Sequence, residues 1–211
     1  WLHLHHEDFT GQYGKFYATF KNASWYKEQQ IEYEKLARKL GYNKVSQEKL
    51  AVAKKIKDYV HGGGFLFAMC SATDSYDIAL AAEGLDICGP MFDGDASDLN
   101  AQEKLDFSKT LAFKNFSLVK NPNQYEFSSI DATQKRMINA KIDFFTLFDF
   151  SAKWDPVPTM LCQNHMQVIK GFMGQTTAFK NEYIKSNVLI MGETKATNEA
   201  RYIHGELGNG T

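Results

Sequence analysis

The sequence predicts an α/β fold built on an open, mostly parallel sheet with helices on both faces, and three observations point there. The chain starts with Trp1-Leu2-His3-Leu4-His5-His6, which alternates apolar and polar side chains as a half-buried strand does. Phe65 to Met69 is an unbroken apolar run, as expected of a strand covered on both faces. Between the two lie two segments of helical periodicity, giving the order strand, helix, helix, strand that parallel crossovers require.

The elements follow in order. After the first strand comes a loop rich in glycine and aromatics, with Phe9, Tyr13, Phe16, Tyr17 and Phe20 close together. Ser24 is placed to cap a helix that runs to about Leu40 and stops at Gly41, with Ile31, Leu36 and Leu40 marking its expected buried face. A second helix begins near Ser46, carries Leu50, Val52, Ile56 and Val60, and ends at Gly62-Gly63-Gly64. The buried strand then turns sharply at Cys70 to Asp74 into a helix over Ser75 to Ala82, closed by Gly84, and a short strand and turn are expected over Leu85 to Phe92. Residues 93–151 read as a β-rich insertion in the same domain, with β-like runs at Leu111 to Val119, Tyr125 to Ile130 and Phe144 to Phe150, ended by Trp154-Asp155-Pro156-Val157-Pro158. Val188 to Met191 and Arg201 to His204 are late strands. The whole chain, 1–211, is read as one α/β domain. It starts in a strand and ends in a turn, Gly208-Asn209-Gly210-Thr211, so both ends look cut.

Composition narrows the function. The 211 residues carry 24 Lys and Arg against 25 Asp and Glu, a net charge of −1. Such a balance offers no field for a phosphate backbone, so nucleic acid is not an expected partner. No apolar run is long enough to span a bilayer as a helix. Three cysteines, Cys70, Cys88 and Cys162, are too few and odd in number for a disulfide framework and suit a reducing compartment. A segment before Trp1 that carried a signal or lipid anchor would instead place the protein in the cell envelope or periplasm.

In an open α/β sheet, ligands bind beyond the carboxyl ends of the strands, where loops and helix N-termini present unpaired N–H groups. Two polar clusters fall there: His5-His6-Glu7-Asp8, and Cys70-Ser71-Ala72-Thr73-Asp74. His5, His6, Glu7, Asp8, Ser71 and Asp74 are therefore candidate binders of a small-molecule substrate. Cys70 is the candidate nucleophile, because a thiol at a strand-to-helix turn sits against a helix N-terminus whose partial positive charge favours the thiolate. The plain structural reading of Cys70 is a small buried hydrophobe. A thiolate needs a base and an orienting carboxylate, and His204 and Glu206, two apart on an expected strand, share a face. No metal site and no cofactor is assigned. The run His5-His6-Glu7-Asp8 holds suitable atoms, but adjacent side chains on a strand point to opposite faces and cannot serve one ion without a bend. Asp93-Gly94-Asp95-Ala96-Ser97-Asp98 begins like a calcium loop, yet Asp98 stands where glycine is needed and Lys104 where glutamate is.

The stretch Gly62-Gly63-Gly64-Phe65-Leu66-Phe67-Ala68-Met69-Cys70-Ser71-Ala72-Thr73-Asp74 resembles the glycine-rich strand and elbow of the class I glutamine amidotransferase-like superfamily, closest to its ThuA-like (trehalose utilisation) branch. His165 to Gly171, Asn181-Glu182-Tyr183, Val188-Leu189-Ile190 and Arg201 to Gly210 are similar to later parts of that branch. The chain also resembles bacterial proteins labelled asparagine synthetase B, although no motif for ATP-dependent chemistry is present. The resemblance implies a flavodoxin-like sheet, Cys70 as a glutaminase nucleophile, and an oxyanion site near the loop after the first strand. It departs at Ala68 and Ala72, which occupy positions that are glycine in the Gly-x-Cys-x-Gly elbow. It also places the family's His-x-Glu pair beyond Thr211, so the base is His204 or a later histidine. The expected function is a cysteine-dependent amidotransferase-like hydrolase acting on a carboxamide or related acyl group. The alternative is an inactive ThuA-like binding or scaffold module with a protein or carbohydrate partner on its aromatic loop, and a third reading is a metal-dependent hydrolase using His5, His6 and Glu7, which would require bound metal.

Overall fold

The computed structural model describes residues 1–132, 143–147, 167–171 and 174–211. Cys162, the stretch 154–158, residues 148–150 and His165 lie outside the described residues.

The first strand, β1 (Leu2–Leu4), is followed by a short α1 (Tyr17–Phe20) and two long helices, α2 (Ser24–Lys39) and α3 (Val45–His61). The glycine run then stops α3: Gly63 takes φ 112°, and a Cβ on Gly64 would lie 2.3 Å from the Tyr59 ring. β2 (Leu66–Ala68) comes next and pairs with β1 in parallel, Leu2 with Leu66 and Leu4 with Ala68. About sixty residues separate the two strands, ample for a helical crossover. Cys70 then turns the chain into α4 (Ser71–Ala81), which starts four residues before the expected Ser75.

Beyond this unit the expected fold is corrected. Among the described residues there is no mostly parallel flavodoxin-like sheet; β1 and β2 form a two-stranded parallel sheet, and the other described strands form a separate antiparallel one. Its members are β3 (Phe144–Leu147), β4 (Val168–Lys170), β5 (Phe179–Lys180), β6 (Leu189–Thr194) and β7 (Glu199–His204), in the order β4-β3-β6-β7-β5. For β6 and β7 the reason is connection length. Only Lys195–Asn198 lies between β6 and β7, and a parallel return needs a dozen residues or more, so the strands must fold back on each other. Apolar runs reveal strands but not their direction. The stretch Leu85 to Phe92 forms no strand; Pro90 opens a short helix, α5 (Pro90–Asp93). The runs near Leu111 and Tyr125 contribute only isolated bridges, Phe113 with Ile184 and Leu118 with Ser128. β3, inside the expected insertion, is an interior strand of the antiparallel sheet.

Helix faces also shift. Ile31, Leu36 and Leu40 on α2 are exposed, Leu40 by 61%, while Tyr26 and Ala37 are buried. On α3, Val45, Ala53, Ile56 and Val60 are buried and Val52 is exposed. Among the described residues no helix is long and apolar enough to cross a membrane.

The two parts meet on α4, in which every residue from Asp74 to Ala81 is buried. Ala72, Tyr76, Ala79 and Leu80 pack with Leu4, Phe9 and Ile56 on one side. Ile78 and Ala81 pack with Phe113, Phe116, Phe127 and Phe179 on the other. A helix enclosed in this way must satisfy any carboxylate it carries. Asp77 does so by accepting backbone N–H bonds from Leu111 at 2.6 Å and from Ala112 and Phe113 at 2.8 Å, which fastens that loop to the helix. In the antiparallel sheet, the Arg201 guanidinium on β7 grips Asp143 with two bonds of 2.7 and 2.6 Å.

Replacing Asp77 with Ala strands three N–H donors, that of Phe113 buried and those of Leu111 and Ala112 part-buried, and a buried donor left unsatisfied costs about 1–3 kcal/mol. Asp77→Ala is therefore expected to lower stability in urea by about 1–3 kcal/mol, and Asp77→Asn, which keeps one acceptor oxygen, by less. An Asp77→Ala protein with an unchanged unfolding midpoint would contradict this account.

Candidate functional site

Cys70 stands between β2 and α4 with φ 50° and ψ −140°. That conformation lies outside the regions L-residues ordinarily occupy and costs roughly 1–3 kcal/mol. Surrounding hydrogen bonds hold it in place. Met69 N–H donates to Leu4 at 3.0 Å, Ala72 N–H to Met69 at 3.2 Å, and Thr73 N–H to the Cys70 carbonyl at 3.0 Å. A sharp strand-to-helix turn of this kind lifts the side chain to the end of the sheet.

Because β1 and β2 run in parallel, the residues after Leu4 and those after Ala68 emerge side by side. β1 ends at Leu4 and the chain bends at His5 and His6, so both imidazoles turn to the same side and stack with centroids 3.7 Å apart. The bend supplies what straight-strand geometry denied. One ring nitrogen of His5, one of His6 and the Cys70 Sγ all lie within 4.8 Å of one another. Cys70 itself is only 8% exposed. The other expected residues take supporting places. Glu7 accepts the His5 backbone N–H at 2.5 Å, and Ser75 on α4 donates to the Glu7 carbonyl at 3.0 Å. Asp8 shapes the loop rather than the site, accepting from Thr10 N–H at 2.7 Å and Gly14 N–H at 3.0 Å. Ser71 is buried as the first residue of α4, where its N–H has no helical acceptor.

His204 and Glu206 are not brought to Cys70. β7 ends at His204, whose Nδ1 lies 3.2 Å from Thr211 Oγ1, and Glu206 is exposed beyond the strand. Thr211 in turn pairs with Gly64 and Leu66, at the opposite end of β2 from Cys70.

Residues from distant segments complete the surroundings. Gly174 lies beside the thiol, close enough that an added Cβ would come 3.4 Å from the Cys70 Sγ. Asp74, one helical turn beyond Cys70, accepts from Thr176 Oγ1 at 2.8 Å and Ser128 Oγ at 3.2 Å. Thr176 N–H donates to Asp131 at 2.8 Å. No sequence pattern links Ser128, Asp131, Gly174 and Thr176 to Cys70, because they arrive in two segments, 128–131 and 174–176, far from it in the chain.

Electrostatics follow from burial. Desolvation, then the negative charge of Asp131, pushes the Cys70 thiol above its ordinary pKa, so the resting group is protonated and any nucleophilic use requires a base. Burial, then Asp131, pushes Asp74 up to about 8 against the opposing bonds from Thr176 and Ser128.

A second cluster, Asp86, Cys88 and Asp93, lies beside a cleft of about 480 Å³ whose lining includes Tyr42, Lys44, Leu50, Asp86 and Asp98. The Lys44 ammonium already bridges Asp86, Asp93 and Asp95 there, and Cys88 Sγ–H donates to the Thr10 carbonyl at 3.2 Å.

Folding places a proton on Asp74 that the unfolded chain releases near pH 4. Stability from this group is full below pH 4 and is lost as pH rises through about 8, with a slope of at most about 1.4 kcal/mol per pH unit. Urea unfolding between pH 5 and 8 should therefore show a falling stability that is flatter in Asp74→Asn; equal slopes would refute the assignment. Compared with protein-family models, curated proteins and solved structures, the chain gives no match, so the resemblance drawn from its elbow rests on those motifs alone.

Proposed function

We propose that the protein is a cysteine-dependent hydrolase or amidotransferase-like enzyme acting on a carboxamide or related acyl group, with Cys70 as nucleophile and an imidazole of the His5-His6 pair as general base. The observation that carries this reading is the strained Cys70 elbow with two imidazole nitrogens within 4.8 Å of its sulfur. The glycine-rich strand and elbow that resemble the class I glutamine amidotransferase-like superfamily support the same chemistry.

The protonated thiol gives its proton to the imidazole as sulfur adds to the acyl carbon. The carbonyl oxygen gains the negative charge and lies toward the free N–H of Ser71 and the positive end of α4. Collapse breaks the carbon–nitrogen bond, and the imidazolium returns its proton to the departing amine. Water, deprotonated by the same imidazole, then cleaves the thioester and restores the thiol.

A second reading has its own observation. Phe16, Phe20, Trp25 and Tyr125 form a chain of ring contacts, and Phe16, Trp25 and Tyr125 are exposed, as a non-catalytic binding module would require.

Incubation with an electrophilic glutamine analogue near neutral pH separates the two. The enzyme reading expects a single adduct on Cys70, none in Cys70→Ala, and labelling slowed about 10²- to 10⁴-fold by His5→Ala or His6→Ala, the range for loss of a general base. Modification at Cys88 or Cys162 with Cys70 inert would leave the binding module as the reading.

A further inference from the structure

We propose that His5, His6 and Cys70 form a binding site for Zn²⁺, and that the bound ion blocks the Cys70 thiol. The blocking rests on Cys70 being the reactive thiol; the binding does not.

Two imidazole nitrogens and a sulfur converge within 4.8 Å from two chain segments that meet only through the parallel pairing of β1 and β2. Such donors suit zinc and other borderline or soft ions, and not magnesium or calcium, which take oxygen. A tetrahedral zinc with bonds of about 2.0–2.1 Å to nitrogen and 2.3 Å to sulfur needs its donors roughly 3.3–3.6 Å apart. The cluster therefore has to close by at most about 1 Å. His6 is exposed and His5 half-buried, so side-chain rotation supplies that movement while the elbow keeps Cys70 fixed.

Neither imidazole has a hydrogen-bond partner among the described residues, so binding an ion breaks no existing bond of either ring. The Asp86, Cys88 and Asp93 cluster makes the contrast. Its charge is met by the Lys44 ammonium and its thiol by a backbone carbonyl, so it is already satisfied without an ion. Three protein donors leave the fourth zinc position open on the exposed side of His6, where water completes the shell. Binding replaces the sulfur–hydrogen bond with a sulfur–zinc bond and releases one proton to solvent.

Cobalt(II) serves as the probe, because a thiolate on cobalt gives a charge-transfer band and a tetrahedral ion gives strong visible bands. The chain, freed of metal with a chelator and kept reduced, should take up one equivalent with both features, and Zn²⁺ should displace them. His5→Ala and His6→Ala should each weaken binding at least tenfold. Cys70→Ala should abolish the charge-transfer band, while Cys88→Ala and Cys162→Ala leave it unchanged. One equivalent of Zn²⁺ should also protect Cys70 from alkylation by iodoacetamide, and a chelator should restore it. Absence of the band in the wild-type chain, or its survival in Cys70→Ala, overturns the site. A normal band with Cys70 inert to alkylation in the metal-free chain instead overturns the hydrolase reading and the blocking, and leaves the binding site standing.

Discussion

A carboxyl group cannot stay buried without hydrogen-bond partners, and α4 carries two such groups through the middle of the molecule. Asp74 and Asp77 lie on a helix packed on both flanks, so the segments that supply their partners have to be delivered to it. Three consecutive N–H groups of residues 111–113 go to Asp77, and the hydroxyls of Ser128 and Thr176 go to Asp74. These bonds draw loops with no regular structure of their own against the helix, and the phenylalanines they carry build the second core. The aromatic packing and the polar anchors are thus one arrangement.

The same helix sets the site. Only Met69 and Cys70 separate its first turn from β2, so the change of direction is concentrated at Cys70, which takes the positive φ. Parallel pairing then fixes what faces it, because two strands running the same way end at the same edge. Ser75, one turn along α4, accepts from Phe9 N–H at 3.3 Å and donates to the Glu7 carbonyl, so the loop carrying both histidines is fastened to the helix that carries the thiol. Strain at Cys70 is held by these bonds and by the packing of Ala72 and Tyr76 beneath it.

Much of the first part of the fold was legible in the chain. Ser24, Gly41, Ser46 and the glycines at 62–64 fall within a residue or two of the ends of the long helices, although neither serine caps: Ala23 and Lys44 hold the N-cap positions, and neither helix start has a side-chain cap bond. The faces of α2 were not legible, because Ile31, Leu36 and Leu40 satisfy helical spacing whether or not another element covers them. Of the site, the thiol and the two histidines could be picked out as residues at strand ends. Their convergence could not, as it depends on the bend after Leu4, which alternation alone does not announce. His204 and Glu206 satisfied a local spacing, but β7 runs in the antiparallel sheet and ends at the far side of β2.

By itself the sequence determined the local elements: where helices start and stop, which runs are apolar enough to be strands, and that a cysteine would stand where a strand meets a helix. Only the tertiary structure decided the direction of the late strands, the identity of the histidines beside Cys70, and the burial and the acid, Asp131, that raise its pKa. Caps, stops and periodicity are set by bonds within a few residues. Strand direction, facing side chains and desolvation are set by segments tens of residues apart, and no short-range pattern encodes those meetings.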